Sequence, residues 1–68
     1  MTADQVEAIL SRYGFKLVSQ KGSHRKWRNV ERKLQVIVPY HKGRDLPLGT
    51  LRNIMTAADI PNSEWKTE

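Results

Sequence analysis

The sequence predicts a small α+β domain in which two helices pack on one face of a three-stranded antiparallel sheet, in the order α-β-β-β-α. Three observations predict this fold: helical spacing of apolar residues towards each end of the chain, β-type alternation between them, and a length of 68 residues. A chain of this length has room for one small core. We therefore expect a single domain over residues 1–68.

The N-terminal segment predicts a first helix over residues 3–13. The apolar side chains that recur at helical spacing are Val6, Ile9, Leu10 and Tyr13. Thr2 and Gln5 stand three residues apart, which is the spacing of a capping box at a helix start. Gly14 follows immediately and can end the helix in the left-handed conformation, so the helix is expected to stop there.

The middle of the chain predicts a meander of three strands. The expected strands are Phe15–Ser19, Ser23–Asn29 and Leu34–Pro39. Alternation along these strands gives one buried side, made by Phe15, Leu17, Trp27, Leu34, Val36 and Val38. The opposite, open side of the predicted sheet receives His24, Lys26 and Arg28.

Two hairpins connect the predicted strands. In the first hairpin Ser19 is expected to pair with Ser23, which leaves a three-residue loop. In the second hairpin the numbers of opposed residues sum to about 63 in an antiparallel register, so His41 is expected opposite Gly22 and diagonal to His24. The two histidines are therefore predicted to be near neighbours.

The C-terminal part predicts a second helix and a packed tail. The helical pattern begins at Pro47, and its apolar members are Leu51, Ile54, Met55 and Ala58. After Pro61, Ser63 can cap a short turn that packs Trp65. The whole element order resembles the double-stranded RNA-binding domain in topology, a likeness that does not by itself establish function.

The charge distribution points to an anionic partner. The chain has a formal net charge of +5, and residues 12–52 contain 11 Lys and Arg against two acids, which leaves +9 for that stretch. Nucleic acid is the commonest partner of such a surface, although a small basic domain can also be simply soluble.

The composition also disfavours several classes of protein. The chain has no cysteine, so neither disulfides nor a Cys/His zinc site is expected, and no metal or other cofactor is predicted. No apolar run approaches the roughly 20 residues of a membrane span, and the first ten residues do not resemble a signal peptide. A cytoplasmic protein with no membrane partner is the expectation.

His24 is the leading candidate for chemistry. Its imidazole can change protonation near neutral pH, and it follows Gly22 and Ser23, of which the serine can hydrogen-bond a phosphate oxygen. In RNA the 2′-hydroxyl can attack the adjacent phosphate, and a histidine can serve this step as base or as acid. The cations that can bind phosphate are Lys21, Arg25, Lys26, Arg28, Lys42 and Arg44. An exposed strand histidine without a role remains an equal alternative.

Three further residues are candidates for the same region. His41 can supply the complementary acid or base, although a supporting role as a hydrogen-bonding loop residue is favoured. Trp27 shares the strand parity of the core residues and is interpreted as packing. Tyr40, at a loop mouth, can stack on an unpaired base.

Five blocks of the sequence carry a resemblance to a known family. They are Gly14-Phe15, Gln20-Lys21-Gly22-Ser23-His24, Val38-Pro39-Tyr40-His41, Leu46-Pro47-Leu48-Gly49-Thr50-Leu51-Arg52-Asn53-Ile54 and Ala58-Asp59-Ile60. In order and spacing they resemble the HicA-type toxins, small mRNA interferases of bacterial type II toxin-antitoxin systems. Residues 29–33 depart from the His-Pro-Asp-Gly-like turn that the family often has between its second and third strands.

The resemblance implies a double-stranded RNA-binding-like fold and metal-independent RNA cleavage that stops translation. It further implies a HicB-type antitoxin that covers the site. By this resemblance the catalytic residue is His24, Gly22 and Ser23 belong to the same motif, and His41 matches a frequent family histidine.

Two other functions remain open at the level of sequence. A non-catalytic module that binds structured RNA on its basic face would have the same fold and charge. A DNA-binding repressor is less favoured, because the whole sheet separates the two helices where a helix-turn-helix needs a short turn.

Overall fold

The computed structural model describes residues 1–66 and has the predicted element order. The elements are helix α1 (Ala3–Arg12), strands β1 (Lys16–Lys21), β2 (His24–Asn29) and β3 (Leu34–Pro39), helix α2 (Leu48–Ala57) and a short 3₁₀ helix (Asn62–Glu64). The strands form one antiparallel sheet in the order β1-β2-β3. Over the described residues no helix has the length and apolar character needed to cross a membrane. The α+β prediction is confirmed.

Helix α1 begins where its sequence predicts and ends one residue earlier, at Arg12, with Tyr13 as the C-cap residue. The Thr2 hydroxyl accepts from the Gln5 amide at 3.2 Å, and the Gln5 side chain accepts from the Thr2 amide at 2.8 Å. This capping box satisfies backbone groups that the first turn leaves free. At the other end Gly14 has a φ of 88°, a left-handed conformation that glycine adopts without steric cost.

Helix α2 starts one residue later than its pattern predicts, because Pro47 is the N-cap residue and Leu48 the first helical residue. The tail after it forms the short 3₁₀ helix and buries Trp65, which is the expected packing. The expectation that Ser63 caps this turn is wrong. Pro61 holds the capping position, and Ser63 lies inside the short helix.

Both helices pack on the same face of the sheet. The buried core draws on α1, α2 and β3, and its strand members Val36 and Val38 are 4% and 0% exposed. Trp27 and Leu34 are half-buried against this core. We call this side of the sheet the helix face and the uncovered side the open face.

The first hairpin differs from the prediction. Lys21, not Ser19, is the last residue paired, and it lies opposite His24, so the turn has only two residues. Gly22, the first of them, has a φ of 59°. A glycine at that position is typical of two-residue turns that match the twist of the strands. A β-bulge between Leu17 and Ser19 absorbs the extra residue.

Leu17 is also more exposed than predicted. It lies opposite Trp27 but keeps 41% of its surface accessible. The physical reason is its place on the edge strand: all six residues of β1 are exposed, whereas the helices pack mainly over β3 at the other edge.

The second hairpin confirms the predicted register. Trp27 lies opposite Val36 and His24 lies opposite Pro39, so the numbers of paired residues sum to 63. One more backbone bond, from the Tyr40 amide to the Ser23 carbonyl at 2.7 Å, extends the ladder beyond the strand ends. His41, the next residue, has left the sheet, and its predicted place opposite Gly22 is wrong.

Candidate functional site

The three strands contain five Lys and Arg residues and no acid. Strand pairing assigns four of these cations to the open face: Lys16, Lys21, Lys26 and Arg28. Side chains of directly opposed residues share a face, so Lys16 adjoins Arg28 and Lys21 adjoins His24. The open face therefore combines positive charge with one imidazole.

His24 occupies the end of this face beside the first hairpin turn. It is the first residue of β2, it is exposed, and it has Lys21 of β1 on one side and Pro39 of β3 on the other. Lys26 follows it on the same face two residues along the strand. A strand advances about 3.3 Å per residue, so Lys26 lies about 7 Å from His24 along the strand, a distance that one phosphate group can bridge.

The Gly22-Ser23 turn fixes the backbone ahead of His24. The Gln20 side-chain amide donates to the Gly22 carbonyl at 3.0 Å, and the Ser23 carbonyl accepts from the Tyr40 amide. A Cβ added to Gly22 would meet nothing within 4 Å, so its backbone angle, not crowding, requires glycine. The turn is thus tied both to β1 and to the end of β3.

Arg28 is held in place at the other end of the face. Its Nε and Nη2 atoms both donate to the Gln35 side-chain oxygen, at 3.2 and 2.9 Å. A neutral amide partner leaves the guanidinium charge intact, so the side chain can still bind an anion.

Lys16 is a member of the open face that sequence reasoning missed. The available signal was strand alternation. Lys16 directly precedes Leu17, which was expected to point towards the core, so alternation alone would have assigned Lys16 to the open face. Its position beside Arg28 extends the positive face towards the start of β1.

Arg25 is the one cation of the predicted phosphate-binding set that lies on the helix face. Its Nε donates to Glu7 Oε2 at 2.7 Å, and its Nη1 donates to the Gln20 side chain at 3.2 Å. Its guanidinium also lies over the Tyr40 ring, 4.7 Å from the centroid. Because Arg25 alternates with His24 along β2, it belongs to the packing against α1.

Glu7 joins β2 to α1, a function that the sequence pattern did not reveal. Its carboxylate is buried and accepts from Arg25 and also from Trp27 Nε1, at 2.9 Å. An acid flanked at helical spacing by the buried Ala3 and Leu10 was the available indication. The expected packing role of Trp27 is confirmed, since it packs against the core.

Tyr40 is also held on the helix side. Its ring packs against the core beneath Arg25, and its hydroxyl donates to Asp4 Oδ2 at 3.3 Å. That hydrogen bond raises the pKa of the Tyr40 hydroxyl above its ordinary value. These contacts hold the Tyr40 ring on the helix face, away from the open face.

The loop after β3 carries His41, Lys42 and Arg44, all of them exposed. The Arg44 amide donates to the His41 carbonyl at 3.1 Å, and His41 and Arg44 line a cleft of about 330 Å³ before α2. His41 follows Pro39, the partner of His24, by two residues. Backbone geometry therefore limits the separation of the two histidine Cα atoms to about 13 Å.

The fold and the open face together define a small α+β protein whose uncovered sheet is positively charged and carries one histidine. A family model described as HicA toxin of bacterial toxin-antitoxin matches residues 3–60. The chain belongs to this family. It is a toxin of a toxin-antitoxin system, which implies an antitoxin as partner. No curated protein matches the sequence significantly.

Proposed function

We propose that this toxin is a metal-independent RNA endonuclease, an mRNA interferase, that stops translation by cutting mRNA. The observation that carries the proposal is the position of His24 on an acid-free strand face beside Lys21 and Lys26. A histidine, the side chain that most often transfers protons in catalysis, then lies next to cations that can hold a phosphate.

The proposed reaction is transesterification within the RNA strand. His24 takes the proton of the 2′-hydroxyl while the 2′-oxygen attacks the adjacent phosphorus. The bond from phosphorus to the 5′-oxygen breaks, and this oxygen leaves with a proton from water or a second acid. The products are a 2′,3′-cyclic phosphate and a 5′-hydroxyl. Proton transfer by a positioned histidine typically contributes about 10² to 10⁴ in rate.

The cations divide the remaining work. Lys21 lies opposite His24 on β1, and Lys26 lies two residues after it on β2. Both would stabilise the negative charge that builds up on the phosphorane. Lys16 and Arg28 lie farther along the same face and would hold the neighbouring backbone. Arg25 supports the site from behind through Glu7 and is not assigned to phosphate.

Three motif residues would assist. The Ser23 hydroxyl can donate to a phosphate oxygen, and Gly22 provides the turn that precedes His24. His41, two residues after the strand partner of His24, would take the supporting role of a hydrogen-bonding loop residue. Lys42 and Arg44 would extend the positive surface along the RNA beyond the sheet.

The proposed antitoxin partner is of the HicB type and covers the open face. An acidic or shape-matched surface over His24 would exclude RNA and neutralise the cations at once. Inhibition by occlusion should be stoichiometric, so RNA cleavage should fall in step with complex formation when the two purified proteins are titrated. Inhibition at antitoxin concentrations where no complex forms would contradict this mode of control.

The competing function is an RNA-binding module without catalysis. The same charged face and fold would support it, and it gives His24 no chemical role. In that case His24→Ala should retain both RNA affinity and any effect on cell growth.

The deciding experiment compares wild type with His24→Ala on one RNA oligonucleotide in the presence of EDTA. We expect wild type to cut the RNA and the variant to be at least about 100-fold slower, with equal RNA affinity and melting temperature. A DNA oligonucleotide of the same sequence should stay intact because it lacks the 2′-hydroxyl. Cleavage of that DNA without metal, or equal cleavage by both proteins, would refute the proposal.

A further inference from the structure

All five aromatic side chains lie away from the open face. Phe15 and Trp65 are buried in the core. Trp27 donates to Glu7 on the helix face, Tyr40 lies beneath Arg25, and the Tyr13 hydroxyl donates to Glu64 at 2.7 Å. Over the described residues His24 is therefore the one planar ring on the open face, and the proposed function uses it for proton transfer.

Proteins that read single-stranded RNA on a sheet normally present aromatic side chains there. The open face has instead Ile37, which is 43% exposed opposite Lys26, and Pro39 opposite His24. Neither side chain offers a flat π surface. Apart from the ring of His24, the contacts that this face offers a nucleotide are mainly hydrogen bonds and ionic contacts, and its four cations are suited to phosphate.

We infer that the toxin binds RNA through the ribose-phosphate backbone, with the bases turned away from the sheet. This inference rests on the proposed function, because it describes how the substrate of that site is held. The substrate class is then any RNA strand with an accessible backbone, independent of its base composition.

The inference has two measurable consequences. Four phosphate contacts to a single strand predict that the logarithm of the binding constant falls with the logarithm of salt concentration at a slope of about −3. Loss of bases should leave affinity nearly unchanged. If bases stacked on the protein, their removal would weaken binding by about 5- to 150-fold per base.

The experiment uses wild type, which keeps the His24 ring, with 2′-O-methyl oligomers, which lack the attacking 2′-hydroxyl and are bound without being cut. Fluorescence anisotropy would compare oligo(U), oligo(A) and an abasic ribose-phosphate oligomer of the same length. We expect the three affinities to agree within about threefold at each salt concentration, and the slope to be about −3. An abasic oligomer bound more than about tenfold more weakly than oligo(U) would overturn the inference.

Two variants in the same background sharpen the result. Arg28→Ala should reduce the steepness of the salt dependence by about 0.7, the contribution of one phosphate contact. Tyr40→Leu should leave affinity unchanged while it remains folded, and a marked loss would show that Tyr40 stacks on a base. If Tyr40→Leu does not fold, the abasic oligomer still decides.

The outcomes separate the inference from the proposed function. If wild type binds the abasic oligomer as tightly as RNA but cuts no RNA, the proposed endonuclease activity is refuted and the inference about backbone binding is supported. Cleavage by wild type together with a strong requirement for bases would remove the inference alone.

Discussion

On the helix face of β2, Arg25 and Trp27 both donate to the buried carboxylate of Glu7, whereas on the open face of the same strand Lys26 and Arg28 have no acid on any neighbouring strand. Over residues 1–66 the Lys and Arg side chains in ion pairs are Arg12, Arg25 and Arg32, none of which belongs to the open face. Alternate residues of one strand thus differ: Arg25 and Trp27 are bonded to an acid inside the fold, whereas Lys26 and Arg28 face away from it without an acidic strand neighbour.

This separation explains how a small domain carries so much positive charge. The charges on the helix face are neutralised inside the fold, where an unpaired charge would be costly. The charges on the open face remain hydrated, so they avoid the free-energy cost of burying an unpaired charge. Substitutions on the two faces should therefore affect different properties.

The largest expected effect is on the helix face. Glu7→Ala removes the acceptor of both Arg25 and Trp27 and leaves their donors partly buried. Breaking a buried ion pair typically costs about 3–5 kcal/mol, and because Arg25 is 22% exposed we expect about 2–4 kcal/mol in the free energy of unfolding. Urea denaturation measures it.

The matched control for this substitution is Glu31→Ala, since Glu31 is exposed in the turn after β2. It should change the free energy of unfolding by less than about 0.5 kcal/mol. Equal effects of the two substitutions would mean that Glu7 does not brace the strand.

The second effect belongs to the open face. Lys26→Glu removes a phosphate contact and adds repulsion, so RNA affinity should fall by about tenfold or more for every sequence, with little change in stability. Arg52→Glu has the same change in net charge, but Arg52 lies exposed on α2. Anisotropy titrations of both variants should show a clearly smaller loss for Arg52→Glu. Equal losses would make net charge, not the open face, responsible.

The smallest effect concerns the turn beside His24. Gly22→Ala forces alanine to a φ of 59° and should destabilise the fold by about 1–2 kcal/mol through backbone strain alone. Gly49 provides an opposite control, because it lies inside α2 with open space around it. Gly49→Ala should stabilise the protein by up to about 1 kcal/mol. Thermal unfolding would reveal the opposite signs, and destabilisation by both would contradict this explanation.

The sequence was sufficient to predict the parts of the fold in which side chains alternate regularly. The assignment of Trp27, Val36 and Val38 to one face followed from alternation, because β3 buries Val36 and Val38 and Trp27 is partly buried opposite Val36. The ends of α1 followed to within one residue from Thr2 and Gly14, whose local chemistry is independent of the rest of the fold.

The sequence was insufficient where tertiary packing decides. The bulge between Leu17 and Ser19 and the two-residue turn shift the β1–β2 pairing, so Lys21 lies opposite His24, where the predicted pairing of Ser19 with Ser23 would have placed Val18. An edge strand with all residues exposed has no buried side to fix its register. Likewise, the pairing of Arg25 with Glu7 depends on how α1 crosses β2, which composition does not reveal.

The measurement that tests the central claim most directly is the chemical nature of the RNA ends after incubation with pure protein and EDTA. Our account predicts 2′,3′-cyclic phosphate and 5′-hydroxyl ends with wild type and intact RNA with His24→Ala. Ends that carry a 5′-phosphate, or the same ends at the same rate from both proteins, would contradict a reaction in which His24 activates the 2′-hydroxyl on the open face.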